Sequence, residues 1–396
     1  MHVVLLSHEY PPFIFGGIGS FVENLALALS KLGARVTVVA GRPTFYPMMR
    51  TVSVSDSENS RIRIVRFAYP NIPPRHLVFQ LFNLKRLHNI IKNITPDVIH
   101  AQSGAAFPAM VGLQRIAPVV VTFHSNPKML RMMTAHSLFK GGTPSDFFTY
   151  VVGYPVWMYG YKKEFARADA AVAVSKTLME EMKCDFQEKR NGEFLYLHNG
   201  VDIEKLREHS STLYDAEDSA PTIIFGGRLY WTKGVLSLLK LAHLLRKRQN
   251  FNWKIMIYGN GPLRAKIEKE ISDYGLDNVK VFGLVDRAEF ISAMRKATFV
   301  VFPSLNEACP MVLLEAMCLG KVPVMFDLPY ALEFTANGKY GILARNIEEM
   351  AKLIDSTYAD VDIENFGSEI KDFAVTKYNI LNVASEYMNI YKGLEK

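Results

Sequence analysis

Short β-rich runs alternate with helical stretches along nearly the whole chain, and this alternation constrains the fold more than any other feature. One series of candidate strands comprises 2–7, 35–40, 62–67, 97–101, 118–123, 169–174 and 194–198. A second comprises 222–226, 253–258, 279–282, 298–302 and 322–326. Runs such as Thr298-Phe-Val-Val-Phe302 are continuously apolar, the pattern of strands buried on both faces of a parallel sheet. The alternation predicts βαβ units and therefore an α/β architecture. Between the two series, Glu204 to Ala220 is polar and weakly periodic and reads as a linker. A chain of 396 residues has the length for two domains. The expectation is two Rossmann-like domains with an inter-domain cleft. The stretch from Ile380 to Tyr391 has apolar residues at helical spacing and predicts a terminal helix.

Composition narrows the class. A hydrophobic share of 49% with 21% charged residues is that of a globular protein. The three cysteines, Cys184, Cys309 and Cys318, have neither metal-type nor redox-type spacing, which fits a reducing compartment. Met1-His-Val-Val-Leu-Leu-Ser7 lacks the basic lead of a signal peptide. No apolar run approaches the ~20 residues that cross a bilayer. The expected location is cytoplasmic, with peripheral attachment at the inner face of the plasma membrane left open. Residues 1–215 carry the whole net charge of +7, and the remainder is neutral. Either a scattered solvated surface or an anionic partner for the first half accounts for this. Nucleic acid is disfavoured, because no dense Lys/Arg stripe or binding motif is present.

Residues 126–165 stand apart. Met129, Met132, Met133, Phe139, Phe147, Phe148, Tyr150, Tyr154, Trp157, Met158, Tyr159 and Tyr161 are interspersed with Lys128, Arg131, Lys140, Lys162 and Lys163. Helices buried against the first domain and a membrane- or lipid-facing surface are the two readings.

The chemistry concentrates in residues 303–317, where Glu307 and Glu315 stand eight positions apart. Glu307 follows a predicted strand, at the carboxyl end where open α/β sheets bind ligands. Met311 to Leu319 reads as the next helix, with Pro310 suited to its first position. The N–H groups of Met311 and Val312 would open a helix N-terminus, which attracts anions. Two carboxylates flanking an anion site suit a ligand with phosphate in the middle and hydroxyls at both ends, the layout of a nucleotide-sugar.

Other strand ends add to this site. Phe225-Gly-Gly-Arg-Leu229 is followed by Lys233-Gly234, so Arg228 and Lys233 would share one loop and suit a diphosphate. Tyr258-Gly-Asn-Gly-Pro262 and Phe282-Gly-Leu-Val285 are further strand-to-helix turns, with Gly259 in the first. In the first half, Gly16-Gly17 lets the backbone approach a ligand before a helix, although the spacing is not GxGxxG. His124, in Val121-Thr-Phe-His-Ser125, suits a polar contact to a reacting sugar or a purely structural place. Asn199-Gly-Val-Asp202 closes the last strand of the first half. Asp360-Val-Asp362 lies far past these motifs and reads as solvated surface.

In this order the elements resemble the retaining GT-B glycosyltransferases, specifically glycosyltransferase family 4. The resemblance spans Pro11-Pro12 with Gly16-Gly17, Asp97-Val-Ile-His100, Ala168-Asp-Ala-Ala171 with Val174-Ser-Lys176, His198-Asn-Gly-Val-Asp202, Gly227-Arg-Leu229 with Lys233-Gly234, Gly259-Asn-Gly-Pro262 and Glu307 through Glu315. It implies an N-terminal acceptor-side domain over 1–205, a donor-binding domain over 206–375, and a helix over about 376–396 that crosses back to the first. Arg228 and Lys233 would hold the diphosphate, Glu307 the sugar hydroxyls and Glu315 the ribose. Gly259, Met311 and Val312 belong to the same donor site. His124 and the Gly16-Gly17 backbone would act from the facing domain. The family often has an aromatic and a glycine where this chain has Cys309-Pro310.

The implied reaction is transfer of a hexosyl group from a UDP- or GDP-linked sugar to a glycan or lipid-linked acceptor, with retention, in envelope polysaccharide or glycolipid synthesis. No metal and no cofactor beyond the donor is expected. A nucleotide-sugar epimerase and a catalytically silent nucleotide-sugar-binding scaffold are the alternatives.

Overall fold

The structure is a computed structural model that describes every residue except 15, 45–51, 57–60, 73–74, 108, 138–146, 148–150, 187–189, 191, 209–219 and 395–396. It divides into two compact units. Unit 1 comprises Met1–Ala135, Pro144–Gly200 and Ile380–Lys396. Unit 2 comprises His136–Thr143 and Val201–Asn379. The main passages between them therefore fall at Gly200–Val201 and Asn379–Ile380, rather than at 205–206 and 375–376. Within the stretch read as linker, Glu204 to Glu208 belongs to the helix Ile203–Glu208, and residues 209–219 lie outside the described residues.

Unit 1 is built on eight strands: β1 (His2–Ser7), β2 (Arg35–Thr44), β3 (Val52–Asp56), β4 (Ile62–Pro70), β5 (Val98–Gln102), β6 (Val119–Phe123), β7 (Ala170–Ala173) and β8 (Glu193–Tyr196). Their spatial order is β3-β4-β2-β1-β5-β6-β7-β8. Every pair is parallel except β3 with β4. Unit 2 holds β9 (Thr222–Gly226), β10 (Lys254–Tyr258), β11 (Val279–Gly283), β12 (Phe299–Phe302), β13 (Val322–Phe326) and β14 (Ile342–Ala344). This sheet is wholly parallel, in the order β11-β10-β9-β12-β13-β14. The strand order reverses between β1 and β5 in one sheet and between β9 and β12 in the other. Ligands of open α/β sheets bind outside the carboxyl ends at such a reversal.

The apolar runs behave as parallel strands require. Val3, Val4, Leu5 and Leu6 of β1 and Phe299, Val300 and Val301 of β12 are fully buried. Two strands were absent from the sequence reading. β3 is a short antiparallel edge strand of polar alternation, and β14 has three residues.

The terminal helix Ile380–Leu394 belongs to unit 1. Its Ile380, Val383, Ala384, Tyr387 and Tyr391 share a core with Phe21, Val22 and Leu25 of the helix Gly17–Lys31. Two of its hydroxyls bind the sheet. Tyr391 Oη lies 2.6 Å from His100 Nδ1, and Tyr387 Oη lies 2.9 Å from Thr122 Oγ1. Thr122 Oγ1 in turn lies 2.7 Å from His100 Nε2. All four residues are buried, and such a polar chain is tolerated because its members satisfy one another.

The aromatic region is divided. Pro127–Ser137 and Tyr154–Arg167 are helices. Trp157, Tyr161 and Phe165 are buried, whereas Met132, Val156 and Tyr159 are exposed. Phe139, Lys140, Phe148 and Tyr150 lie outside the described residues. Among the described residues no helix is long and apolar enough to cross a membrane.

Candidate active site

The carboxyl ends of β9, β10 and β11 are drawn together by backbone bonds. Gly227 N–H donates to Tyr258 O at 3.0 Å, Gly259 N–H to Gly283 O at 2.7 Å, and Leu229 N–H to Asn260 O at 2.9 Å. Gly259 has φ of +127°, and a Cβ there would lie 1.9 Å from Gly227 O. No other residue type fits this approach. The chain leaving β9 carries Arg228, which is exposed, with its guanidinium 5.0 Å from the Tyr230 ring centroid. It then makes the short turn Trp231–Lys233 and enters the helix Val235–Arg248 through Gly234.

Gly234 ties this turn to the loop after β12. Its φ is +65°, and a Cβ would fall 1.8 Å from Pro303 O. Leu305 N–H donates to Thr232 O at 2.9 Å. These two contacts bring Lys233 Nζ onto Glu307 Oε1 as an ion pair, with the side chains 33% and 14% exposed. The structure thus joins Lys233 to Glu307 at the point where strand order reverses, with Arg228 five residues before Lys233 on the same loop. Tyr330 donates its hydroxyl to Ser304 O at 2.8 Å in the same loop. Burial, and then the charge of Glu307, pushes the Tyr330 phenol up and keeps it protonated.

The helix after this loop is Met311–Cys318, and Pro310 is its N-cap rather than its first residue. The Pro310 carbonyl accepts from Leu313 N–H at 3.0 Å, while Met311 and Val312 have no carbonyl one turn behind them. One turn further, Glu315 is buried and accepts from Arg287 Nη2 at 2.7 Å. Burial, and then the Glu315 charge, pushes the Cys318 thiol up to about 12. Arg287 escaped the sequence reading. It opens the helix Arg287–Lys296, four residues after Gly283, the last residue of β11. Asp362, of the Asp-x-Asp pair, caps the helix Ile363–Tyr378 by accepting from Glu364 and Asn365 N–H, both at 3.1 Å.

Unit 1 presents its own cluster at the ends of β1, β5 and β6. Gly16 N–H donates to Glu9 Oε2 at 3.0 Å, and Gly17 begins the helix. At Gly16 the backbone is extended and a Cβ would meet nothing within 4 Å. Neither backbone geometry nor internal packing therefore requires glycine there. The half-buried His124 follows β6. Its Nε2–H donates to Gln102 Oε1 at 2.7 Å, and its backbone N–H to Ser103 Oγ at 3.4 Å. Phe21 meets its ring edge-on at 5.4 Å. Burial pushes the imidazole down to about 4, against the pull of Glu9, so the ring is neutral near pH 7.

Residues 15–205 match the family described as Glycosyltransferase Family 4, and residues 211–367 match Glycosyl transferases group 1. The chain belongs to glycosyltransferase family 4. The glycosyltransferase is 25% identical to the uncharacterized glycosyltransferase MJ1607 of Methanocaldococcus jannaschii, over 99% of this chain and 98% of that one. Among solved structures, its fold matches sucrose-phosphate synthase from Thermosynechococcus elongatus with a TM-score of 0.78 at 18% identity, covering 99% and 98% of the two chains. Anabaena HepE, solved in complex with UDP and glucose, matches with a TM-score of 0.68 at 16% identity over the full length of both. These likenesses establish the two-domain, Rossmann-like GT-B fold for this glycosyltransferase.

Three titratable groups of unit 1, His100, His124 and Glu164, give the glycosyltransferase a defined pH response. Burial pushes His100 down to about 3 and His124 to about 4, from an ordinary 6.5. As pH falls from 6.5 through that window, the unfolded chain takes up both protons and the folded one does not. Each imidazole thus contributes stability that is full above 6.5 and is lost on acidification, by roughly 1 kcal/mol per pH unit. Burial pushes Glu164 up from 4.5 to about 7, opposed by hydrogen bonds from backbone N–H groups, so its contribution is full below 4.5 and is lost as pH rises through 7. Two imidazoles against one carboxyl leave a net loss. The urea midpoint of unit 1 is expected to fall from pH 6.5 to pH 5, and His100→Gln to flatten the slope. An unchanged slope in that variant would contradict the assignment.

Proposed function

We propose that this glycosyltransferase moves a hexosyl group from a nucleoside-diphosphate sugar, UDP- or GDP-linked, to a glycan or lipid-linked acceptor with retention at the anomeric carbon. The observation that carries the reading is the junction of the Arg228–Lys233 loop with the Glu307 loop and the Met311–Cys318 helix N-terminus, at the strand reversal of unit 2. Arg228, Lys233 and the Met311 and Val312 N–H groups stabilise the charge that develops on the leaving diphosphate. Glu307 holds sugar hydroxyls, and Glu315 holds the ribose. The acceptor hydroxyl attacks from the face the diphosphate leaves. The glycosidic bond forms as the C1–O bond to phosphate breaks, and the acceptor proton passes to the leaving phosphate oxygen. His124, neutral at working pH, makes a hydrogen bond to the reacting sugar, and Gly16-Gly17 leaves room for a ligand beside the helix N-terminus. The positive charge comes from Arg228 and Lys233, so we propose that no metal takes part.

An acceptor in envelope polysaccharide or glycolipid assembly, met at a membrane surface, is the reading favoured by the basic first half and by exposed Met132, Val156 and Tyr159. Lys163 lies over the Tyr159 ring at 5.4 Å and Arg131 over the Tyr154 ring at 4.5 Å, a pairing that suits an anionic interface.

Calorimetric titration with UDP, GDP and ADP in EDTA tests the donor site. One nucleotide is expected to bind, and Arg228→Ala is expected to weaken it about tenfold or more. Failure of all three to bind would overturn the reading.

A further inference from the structure

Glu164 has no place in the reaction proposed above, yet its carboxyl group accepts three backbone hydrogen bonds. It lies on the helix Tyr154–Arg167 and is completely buried. Its Oε2 accepts from Gly104 N–H at 2.8 Å, and its Oε1 accepts from Ala106 N–H at 2.9 Å and Phe107 N–H at 2.7 Å. These three donors belong to the turn that follows β5, at the carboxyl edge of the sheet beside its strand reversal. Gly104, at φ +78°, is in the left-handed region that such a turn needs.

The same helix face fixes the turn at two further points. Tyr161 donates its hydroxyl to Ser103 Oγ at 2.9 Å. Gly160 seats the Phe107 ring so closely that a Cβ there would lie 2.9 Å from it. On its other side the strand end holds His124. Gln102 Oε1 takes the imidazole Nε2–H, and Ser103 Oγ takes the backbone N–H. A continuous set of contacts therefore runs from Glu164 and Tyr161, through residues 102–107, to the ring of His124. A carboxyl group suits the first link because its two oxygens together accept from three converging N–H donors.

We infer that Glu164 is a positioning residue, which folds the 103–107 turn into the shape that fixes the tautomer and orientation of the His124 imidazole. Its consequence for turnover rests on the role proposed for His124. Its consequence for the imidazole does not.

The test uses the full-length protein labelled at histidine nitrogen, with His124→Gln to assign the ring signals. Glu164→Gln retains an acceptor for Ala106 and Phe107 but turns an amide NH₂ toward the Gly104 N–H. The His124 ring nitrogens are expected to shift and to titrate above the wild-type value. Turnover is expected to fall by about tenfold or more, because small displacements of a reacting group are costly, with the nucleoside diphosphate Kd kept within about twofold. Glu164→Asp is expected to recover part of both changes. If Glu164→Gln does not fold, Tyr161→Phe, which removes only the bond to Ser103, is read in the same way. Unchanged His124 signals and titration in a folded variant would overturn the inference. A shifted imidazole with full turnover would uphold it, and would remove His124 from the reaction instead.

Discussion

Glu307→Ala is expected to lower kcat/KM by about tenfold or more while thermal unfolding hardly moves. The two effects separate because the Lys233–Glu307 pair is only partly buried, at 33% and 14% side-chain exposure. A pair so open to water contributes at most about 1 kcal/mol to stability, and Lys233 can be solvated once its partner is gone. A tenfold rate loss corresponds to about 1.4 kcal/mol at the transition state, which the loss of a hydroxyl-binding carboxylate readily exceeds. In the proposed reaction Lys233→Ala removes charge at the leaving diphosphate, and a loss of about 10²–10³ in kcat is expected. The double variant should be less impaired than the two single losses multiplied, since the residues touch and, in the proposed reaction, act on one ligand. Initial rates with donor and acceptor, beside melting curves, check all three. Near-wild-type turnover in Glu307→Ala would remove that residue from the reaction.

Gly234→Ala is expected to damage unit 2 as a fold. At φ +65° an alanine is strained, and its Cβ would lie 1.8 Å from Pro303 O, a backbone atom that cannot swing aside. Left-handed strain and overpacking together cost roughly 2–5 kcal/mol. Relief of the clash must separate the Lys233 turn from the Glu307 loop, so turnover falls with stability. Gly16→Ala is the matched control, because an added methyl there meets nothing within 4 Å and the backbone is already extended. Its unfolding free energy from urea titration should stay within about 0.5 kcal/mol of wild type, so any loss of turnover would report on a ligand. A wild-type midpoint for Gly234→Ala would show that the turn does not pack on Pro303 as described.

Much of the architecture was legible beforehand because parallel strands buried on both faces need continuous apolar runs. Val3–Leu6 and Phe299–Val301 are such runs, and both are buried throughout. β3 and β14 gave no such signal. β14 is too short for a pattern, and β3, Val-Ser-Val-Ser-Asp, alternates with polar residues as an antiparallel edge strand does. The helix at Met311 was placed within a residue of its end, but the role of Pro310 differed. Proline satisfies the geometry of an N-cap as well as that of the first helical position, and residue identity alone does not separate them.

The sequence by itself determined which chemical groups stand at strand ends. Glycine, arginine, lysine and glutamate that follow apolar runs can be assigned to carboxyl ends, because a strand's residues fix where that end lies. Which of those groups meet was decided only by the tertiary structure. Lys233 reaches Glu307 across 74 residues, Arg287 reaches Glu315 across 28, and Glu164 reaches the Gly104 N–H across 60. Such pairings depend on strand order and on close backbone approaches like that of Gly234 to Pro303. Local propensity and periodicity act over a few residues and carry no information about either.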